Sequence, residues 1–266
     1  MSERKISVII GTHNGGKTIE RAINSVYEQT LEPTEVIVCN DFSNDDTLEV
    51  LQKLKKKYKT LKIINNEKNL GLAKSLNKCI KESTGNYIAR MDDDDFSLPK
   101  RFEQQVKFLE LNKDFAFVSC IVFTTKNGKI TGEIVRPETF NNKVFIKGTP
   151  YIHPTVMFRR QTLEKNDGYS ELEIVSKRAQ DYELFARLAS KGFRGYNLQE
   201  KLFLYEFDLA SFAKKKKASN IVNQIKLKIH IFRMMKYPLI VYPMIFQPVY
   251  VFMKAKIRTV LIKIKQ

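Results

Sequence analysis

The chain has 266 residues, of which 43% are hydrophobic and 11% aromatic, so it can form one large globular domain and is not a disordered sequence. Its formal charge is +17, but residues 209–266 alone carry 13 Lys or Arg and no Asp or Glu. The other 33 basic residues nearly balance the 29 acidic residues of positions 1–208, so the strong basic character belongs to the C-terminal tail.

Three cysteines, Cys39, Cys79 and Cys120, lie in apolar surroundings and lack the spacing of metal ligands. This pattern excludes a zinc site of the usual kind and predicts buried thiols in a reducing compartment. The N-terminus passes into a short strand within a few residues and lacks the long apolar core of a signal peptide. We therefore expect a chain that begins in the cytoplasm.

Short runs of β-branched residues alternate with amphipathic helices in the first part of the chain, a pattern typical of a parallel sheet with helical crossovers. The predicted strands are Ile6–Ile10, Glu35–Cys39, Leu61–Ile64 and Tyr87–Met91. The first helix carries its apolar residues at helical spacing, at Ile19, Ala22, Ile23 and Val26. Because ligands bind at the carboxyl ends of such strands, we expect the loops that follow the four strands to converge.

Four consecutive aspartates, Asp92–Asp95, directly follow the fourth predicted strand. Adjacent carboxylates repel one another, so this run calls for a compensating cation, and oxygen ligands suit Mg²⁺ or Mn²⁺. Because side chains alternate along an extended segment, Asp92 and Asp94 can share one face while Asp93 points away. The alternative interpretation is a solvated acidic turn, with Asp95 capping the helix predicted to begin near Ser97–Pro99.

The loop after the first strand matches a different motif. Residues Gly11–Thr18 fit G-x-x-x-x-G-K-T, the phosphate-binding loop of P-loop NTPases, in which Lys17 would bind phosphates and Thr18 would bind Mg²⁺. This alternative leaves the acidic run without a role, so it is the weaker interpretation. A third interpretation is a glycine-rich turn that leads into a helix, with Asn14 as its cap.

Five blocks of sequence, in the expected order, resemble the family-2 glycosyltransferases of GT-A type fold. The blocks are Ser7–Asn14, Asn40–Thr47, Asn69–Ala73 with Asn77, Gly85–Asp95 and Ser97–Pro99. The resemblance implies an α/β fold, namely a GT-A type, Rossmann-like and mostly parallel sheet flanked by helices. It also implies a catalytic domain at residues 1–208, with the nucleotide-sugar half at about 1–112 and the acceptor half at 113–208, followed by the tail at 209–266.

The same resemblance implies a donor site at the carboxyl edge of the sheet. A nucleotide-sugar, expected to be a UDP-sugar, would lie there, and Mn²⁺ or Mg²⁺ would bridge its two phosphates. The residues implied for nucleotide-sugar binding are Thr12, His13, Asp41, Asp92 and Asp93. Thr12 and His13 would lie beside the base, although His13 departs from the family's usual aromatic residue, and Asp41 would bind the base edge. Asp94 is the first expected metal ligand, and Asp92 would contact the ribose or the metal.

The later residues of the domain are expected to bind the acceptor. Two predicted strands, Phe115–Thr125 and Lys129–Val135, flank an Asn127-Gly128 dipeptide, which is typical of a hairpin turn. A helix is predicted near Thr139–Lys147.

Two further blocks are expected to meet the acceptor. Tyr151–Phe158 resembles the family's His-Pro-Thr strand, in which His153 precedes a proline and should be extended; it would contact the acceptor or have a structural role. The predicted helix Ala179–Ala189 resembles the block that carries the general base of inverting transfer, and Asp181 matches that base. The alternative for Asp181 is a helix N-cap. Gln180 stands where the family usually has Glu, so we expect it to affect acceptor preference.

The tail has a different character from the domain. Leu204–Ser211 occupies the place of a family block that usually carries Arg and His, and it contains neither. A run of four lysines, Lys214–Lys217, precedes an apolar stretch, Tyr237–Met253, that three prolines interrupt. The prolines argue against a transmembrane helix, so we expect residues 209–266 to lie on an anionic membrane surface. Nucleic-acid binding is the other use of such charge, but no recognised fold supports it.

These observations predict an inverting, metal-dependent glycosyltransferase that is cytoplasmic and bound peripherally to the inner face of a membrane. Its partners would be a nucleotide-sugar donor and a glycan or lipid-linked acceptor in cell-surface polysaccharide synthesis, and not nucleic acid. The alternatives are a P-loop NTPase that uses Gly11–Thr18 and a basic nucleic-acid-binding protein.

Overall fold

The computed structural model describes residues 4–176, 179–207, 219–247 and 249–250. Its strands are β1 Ile6–Thr12, β2 Glu35–Asn40, β3 Leu61–Asn65, β4 Tyr87–Met91, β5 Phe96–Ser97, β6 Phe115–Lys126, β7 Lys129–Ile134, β8 Met157–Arg159 and β9 Arg194–Glu206. Within the described residues these strands form one sheet, in the order β3-β2-β1-β4-β8-β6-β9-β5, with β7 paired beside β6.

Helices cover both faces of this sheet. Their bounds are α1 Ile19–Tyr27, α2 Thr47–Lys57, α3 Leu72–Glu82, α4 Arg101–Leu111, α5 Arg160–Glu164, α6 Glu173–Ser176, α7 Gln180–Ser190 and α8 Ser219–Met234. Short 3-10 segments occur at Asn142–Ile146, His153–Thr155 and Leu239–Phe246.

The first half of the sheet is parallel. Strand β1 pairs in parallel with both β2 and β4, and β3 pairs in parallel with β2. Because side chains alternate along β1, Val8 and Ile10 pack with α1 and α2, whereas Ile9 packs with α3 on the other face. Burial of both faces explains why β1, β2 and β4 are mostly apolar, whereas the edge strand β3 carries the exposed Lys62 and Asn65. The predicted alternation of strands and helices is confirmed, and β1, β2 and β3 extend one or two residues beyond the predicted bounds.

The second half of the sheet is mixed. Strand β6 pairs in parallel with β9 and antiparallel with β7 and β8, and β8 joins this half to β4. The β6–β7 hairpin turns at Asn127-Gly128, as predicted, where the φ angles are 51° and 76°. Positive φ at both positions is what a tight hairpin turn requires.

Two predictions in the second half are wrong. Tyr151–Phe158 is not one strand, because His153–Thr155 forms a 3-10 turn and β8 begins only at Met157. The hydroxyl of Thr155 donates to the Ile152 carbonyl at 2.8 Å and closes this turn, so His153 is not in an extended strand. The helix expected near Thr139–Lys147 is a 3-10 segment limited to Asn142–Ile146.

The described part of the tail packs against the domain. Helix α8 buries Leu227, Ile231 and Phe232 in the core cluster that also includes side chains of α7. No helix in the described part of the chain combines the length and the hydropathy needed to cross a bilayer. The four-lysine run Lys214–Lys217 and residues 251–266 lie outside the described residues.

Candidate active site

The carboxyl ends of β1, β2, β3 and β4 bring four loops to one edge of the sheet. The backbone N–H of Asp41, after β2, donates to the carbonyl of Thr12 at 2.8 Å, and the N–H of Asn66, after β3, donates to the carbonyl of Asn40 at 2.9 Å. The hydroxyl of Thr12 also donates to the carboxylate of Asp93, in the loop after β4. The predicted convergence of these loops is therefore observed.

The side chains of the acidic run after β4 point in two directions. Asp93 turns to Thr12, whereas one carboxylate oxygen from each of Asp92, Asp94 and Asp95 lies within 4.8 Å of the others. We call these three residues the carboxylate cluster. Three hard oxygen donors at this spacing are what Mg²⁺ and Mn²⁺ prefer, so the residues fit a divalent cation.

Asp95 is not the helix cap that one interpretation predicted. Helix α4 begins at Arg101 with Lys100 as its N-cap, and Asp95 is completely buried. Its Oδ1 accepts a hydrogen bond from the backbone N–H of Glu206, at the end of β9, at 2.8 Å. Its Oδ2 has no hydrogen-bond partner among the residues that the structure describes. Asp95 therefore fastens the acidic loop to β9 and keeps one oxygen available for a cation.

A buried arginine beneath the acidic loop was missed by the sequence analysis. Arg90 is 1% exposed, and its Nη2 donates to Oδ1 of Asp92. Its Nε and Nη1 have no hydrogen-bond partner in the described part of the chain. A buried cation is tolerated only where negative charge lies close to it, which the carboxylate cluster supplies. One sign was available in the sequence, since Arg90 is the only charged residue in the apolar strand Tyr87–Met91.

Burial and mutual repulsion perturb the acidic run. Burial raises the pKa of Asp93 to about 7, aided by the charges of Asp92 and Asp94 and opposed by the bond from Thr12. Burial and the charge of Asp92 raise the pKa of Asp94 to about 6, and burial with both neighbouring charges raises the pKa of Asp95 well above its usual range. A cation stabilises the ionised form of such carboxylates, so this environment favours binding of a divalent metal.

The residues predicted to flank the nucleotide base lie together in the loops after β1 and β2. Thr12 is buried, and His13 is exposed to solvent. The Nδ1 of His13 donates to the carbonyl of Asp41 at 2.8 Å, since a carbonyl can only accept. This bond fixes the imidazole ring against the loop after β2 and leaves its Nε2 edge facing outward, near the side chain of Asn14 at 3.4 Å.

The carboxylate of Asp41 organises the loop after β3. Its Oδ1 accepts from Asn66 Nδ2 at 2.8 Å and from the N–H of Leu70 at 2.7 Å. Its Oδ2 accepts from the N–H of Gly71 at 2.8 Å, where φ is 87°. Both oxygens of Asp41 are therefore engaged within the protein, and a contact with the base edge remains a prediction.

The glycine-rich loop after β1 is not built to bind phosphate. The N–H of Gly16 donates to a carboxylate oxygen of Asp45 at 3.1 Å, and a Cβ on Gly15 would collide with Oδ2 of Asp93. The hydroxyl of Thr18 donates to the Gly15 carbonyl at 3.2 Å. The N–H of Gly16 thus binds a carboxylate, whereas the N–H groups of a P-loop bind phosphate. The P-loop NTPase interpretation of Gly11–Thr18 is wrong.

The first turn of α7 carries the predicted acceptor-side residues. The N-cap of this helix is Ala179, so the interpretation of Asp181 as an N-cap is wrong. Burial raises the pKa of Asp181, against the opposing effects of the Tyr182 N–H and the charge of Arg90. Gln180 places its Oε1 in a buried position without a partner among the described residues. A carboxylate with a raised pKa, near an unpaired amide oxygen, is suited to accept a proton from a polar ligand.

His153 is buried instead of open to an acceptor. Its Nε2 lies 2.7 Å from the hydroxyl oxygen of Tyr169, and burial together with the charge of Arg90 lowers its pKa well below the usual range. Asn77 Oδ1 accepts from the backbone N–H of Tyr169 at 2.8 Å. The predicted acceptor contact of His153 is not supported by this geometry, because the neutral ring is used to orient Tyr169.

A solved structure shares this fold. The mannosyltransferase PcManGT from Pyrobaculum calidifontis, in complex with GDP-Man and Mn²⁺, superposes with a TM-score of 0.66 at 18% identity, over 96% of this chain and 76% of that chain. This likeness confirms the GT-A type fold that the sequence resemblance implies.

Two relatives match most of the chain. EpsE of Bacillus subtilis (strain 168), which is named as a glycosyltransferase, is 36% identical over 245 residues, covering 92% of this chain and 87% of EpsE. WfaP of Escherichia coli, named UDP-Glc:alpha-D-GlcNAc-diphosphoundecaprenol beta-1,3-glucosyltransferase, is 29% identical over 230 residues, covering 85% of this chain and 88% of WfaP. A family model described as Glycosyl transferase family 2 matches residues 7–166. The chain is therefore a glycosyltransferase and belongs to glycosyl transferase family 2.

Proposed function

We propose that the enzyme transfers a sugar from a nucleoside diphosphate donor to a hydroxyl of a glycan or lipid-linked acceptor, with inversion at the sugar carbon. The observation that carries this proposal is the carboxylate cluster, which lies where the loops after β1, β2 and β4 meet. Ligands of open α/β sheets bind at this edge, so a cation held there would lie beside a bound nucleotide. The GDP-Man and Mn²⁺ in PcManGT support a nucleotide-sugar and a divalent metal.

On the donor side, Asp92, Asp94 and Asp95 would hold Mn²⁺ or Mg²⁺, which offsets the charge of a diphosphate leaving group. Thr12 keeps the carboxylate of Asp93 turned away from the cluster through its hydroxyl. Arg90 orients Asp92 from beneath, because its Nη2 donates to one oxygen and leaves the other free. These contacts fix the direction of the ligand oxygens before a donor binds.

The nucleoside would lie over the loops that Thr12, His13 and Asp41 form, next to Asp92 and Asp93. The imidazole ring of His13 is exposed and held at one edge, so one face can stack on a base. We propose uridine diphosphate as the carrier, which agrees with the UDP-Glc donor in the name of WfaP.

On the acceptor side, we assign the role of general base to Asp181. Inverting transfer needs a carboxylate that takes the proton of the attacking hydroxyl opposite the leaving group. Burial raises the pKa of Asp181, although the charge of Arg90 opposes that rise, so the carboxylate holds a proton more strongly than an ordinary aspartate does. Gln180, at the first position of the same helix, offers a buried amide oxygen that a second acceptor hydroxyl can use.

The acceptor class and the location follow from the relatives and from the tail. The name of WfaP includes a diphosphoundecaprenol-linked acceptor, which supports a lipid-linked acceptor and a role in polysaccharide synthesis. Such an acceptor is fixed in a membrane, and the 13 basic residues of positions 209–266 would be attracted to anionic lipid. We therefore propose a cytoplasmic enzyme bound to the inner face of the membrane.

A nucleotide-binding panel tests the proposed donor. Calorimetric titration of the full chain with UDP, GDP, dTDP and CMP, with Mn²⁺ or with EDTA, should show UDP binding that depends on the metal. The successful nucleotide then selects the sugars to be tested for transfer. If no nucleotide binds to folded protein in Mn²⁺, the proposed donor site is wrong.

A further inference from the structure

The described end of the chain exposes a group of large apolar side chains. Helix α8 ends in a left-handed turn at Lys236, where φ is 54° and the N–H of Tyr237 donates to the carbonyl of Phe232 at 3.1 Å. The chain then enters the 3-10 segment Leu239–Phe246. The exposed side chains, which we call the C-terminal apolar patch, are Leu239 at 79%, Ile240 at 84%, Met244 at 37%, Phe246 at 60% and Tyr250 at 65% exposure.

The C-terminal apolar patch is fixed to the domain by buried contacts. Ile245, in the same segment, is buried. The ring of Phe232 packs edge-on against the ring of Tyr242, with 5.7 Å between the ring centroids. The buried amine of Lys228 donates to Gln247 Oε1 at 2.6 Å and to the Ile146 carbonyl at 2.9 Å. These contacts bury one side of the segment, so its exposed side chains have a defined direction.

The same contacts join the patch to the acceptor side of the enzyme. Ile146 belongs to the 3-10 segment Asn142–Ile146, and the preceding carbonyl, of Phe145, accepts a hydrogen bond from the hydroxyl of Tyr182 in α7. Tyr182 directly follows Asp181, the proposed base. Helix α8 itself also packs on α7. A partner that binds the C-terminal apolar patch therefore also positions α7, the helix that carries the proposed base.

The basic residues near the patch in the sequence indicate what kind of partner binds it. Lys226, Arg233 and Lys236 are exposed on and after α8, and positions 209–266 contain no acidic residue. Exposed apolar side chains that follow a helix with exposed cations fit an anionic bilayer, whose phosphates bind the cations while its interface takes up the apolar groups. A second copy of this chain is disfavoured, because it would bring the exposed Lys226, Arg233 and Lys236 of one copy close to those of the other.

We propose that the C-terminal apolar patch inserts into the interfacial layer of an anionic bilayer and holds α7 close to the membrane surface. This inference rests on the proposed function in one respect, since a lipid-linked acceptor gives the attachment its purpose. Binding to vesicles needs neither donor nor metal, so it can be measured apart from catalysis. The apolar part of the attachment resists salt, whereas the contribution of the cations weakens as salt increases.

A tryptophan reporter tests insertion directly, because the chain contains no tryptophan. Phe246→Trp places the reporter in the patch, and Leu111→Trp is the matched control at a 74% exposed position at the end of α4. With vesicles of phosphatidylglycerol and phosphatidylcholine, the emission of full-length Phe246→Trp should shift to shorter wavelength and be quenched by brominated acyl chains. The control should show neither effect. A Phe246→Trp spectrum that vesicles leave unchanged overturns the proposal.

Co-sedimentation with the same vesicles measures how much the patch contributes. The combined change Leu239→Ser, Ile240→Ser and Phe246→Ser should weaken partitioning at least about tenfold, since three large side chains lose their burial. The combined control Leu111→Ser, Ile130→Ser and Leu172→Ser alters three exposed side chains elsewhere and should leave partitioning unchanged. Equal binding by both triple variants overturns the proposal. The proposal is also overturned if light scattering shows that the unmodified protein is a dimer and that the patch substitutions, but not the control substitutions, make it a monomer.

Metal-dependent nucleotide binding separates this inference from the proposed function. The patch variant should retain it, because none of the altered side chains lies at the donor site. If vesicle binding fails while nucleotide binding persists in the unmodified protein, the membrane inference and the proposed membrane location are wrong, and the proposed transfer reaction stands.

Discussion

Arg90 donates a hydrogen bond to Asp92 from inside the core, so a buried cation lies directly beneath the proposed metal site. The guanidinium would then share the carboxylate of Asp92 with a bound metal. Among the described residues, Arg90 is the cation that forms an ion pair with the carboxylate cluster, through Asp92. If the cluster binds a cation, we expect the stability of the protein to depend on both the arginine and that cation.

Replacing Arg90 with Met removes the buried charge and keeps most of the side-chain volume. We expect the free energy of unfolding to fall by about 3 kcal/mol, the order seen when one partner of a buried ion pair is removed. Added Mn²⁺ should then raise the Tm more than it does in the unmodified protein, because the metal supplies the missing positive charge. Differential scanning calorimetry with and without Mn²⁺ measures both effects.

The matched control for this variant is Arg194→Met, which removes an exposed ion pair with Asp114. Exposed pairs contribute little, so its free energy of unfolding should change by less than about 1 kcal/mol. An equal response to Mn²⁺ in Arg90→Met and in the unmodified protein would contradict the electrostatic role of Arg90.

Asp94→Ala and Asp95→Ala should have different effects. Asp94→Ala removes a cluster oxygen with little change in packing, so metal-dependent UDP binding should be lost while the fold persists. Asp95→Ala also leaves the Glu206 N–H without its acceptor, and this should cost about 1–3 kcal/mol of stability in addition to weaker metal binding. Titration calorimetry with UDP, together with thermal unfolding, distinguishes the two variants. Unchanged metal-dependent UDP affinity in Asp94→Ala would remove that residue from the metal site.

Asp181→Asn tests the proposed base. The amide keeps the shape of the carboxylate but cannot take up a proton, so turnover should fall by about 10²–10⁴ while UDP affinity stays the same. Steady-state kinetics with the acceptor, once it is identified, and UDP titration provide the two measurements. Near-normal turnover in the folded variant would assign Asp181 to structure only.

Lys17→Ala tests the interpretation of the glycine-rich loop. Lys17 is exposed, and the N–H of the neighbouring Gly16 donates to the carboxylate of Asp45, so activity should stay within about threefold of the unmodified enzyme. A phosphate-binding lysine would instead be needed for turnover. Loss of activity in a folded variant would show that Lys17 contacts the donor phosphates.

The lowered pKa of Glu35 predicts how the stability of the protein depends on pH. Burial opposes its ionisation, but bonds from Lys62, Ser7 and Thr84 outweigh that effect and lower its pKa from the ordinary 4.5 to about 2. Because the folded pKa is the lower one, the stabilisation is fully present above pH 4.5 and is lost as the pH falls toward 2. The difference in Tm between the unmodified protein and Glu35→Gln should therefore shrink over this range. A constant difference down to pH 2 would refute the assignment.

Local patterns predicted the parallel half of the sheet well, because each β-α unit is a contiguous segment whose apolar spacing shows its buried face. Asp92 and Asp94 lie together and Asp93 turns away, as predicted, but the cause is a turn at Asp93 and Asp94 and not the alternation of an extended strand, which would have placed Asp95 with Asp93. Tyr151–Phe158 was mispredicted because its apolar and β-branched residues favour a strand, whereas Thr155 closes a turn with its side chain. Such a side-chain bond leaves no periodic pattern in the sequence.

Contacts between distant positions account for the rest of the site. A cap was one interpretation of Asp95 because only the neighbouring helix is visible in the sequence, whereas its observed partner, Glu206, lies on β9. The burial of His153 against Tyr169 likewise depends on the packing of a separate loop. A single charged residue in an apolar strand, such as Arg90, indicates a buried charge that needs a partner, and this pattern can be looked for in related sequences.

The bond between Asp95 and Glu206 joins positions 111 residues apart, and this separation governs when the site is completed during synthesis. At roughly 5–20 residues per second, the ribosome makes the acidic loop about 5–20 s before it makes the strand that fastens the loop. A nascent chain that stops before the end of β9 thus contains all four aspartates without the N–H that holds Asp95. Translation through residue 206 is therefore the earliest point at which the proposed metal site of the newborn enzyme can reach its final geometry.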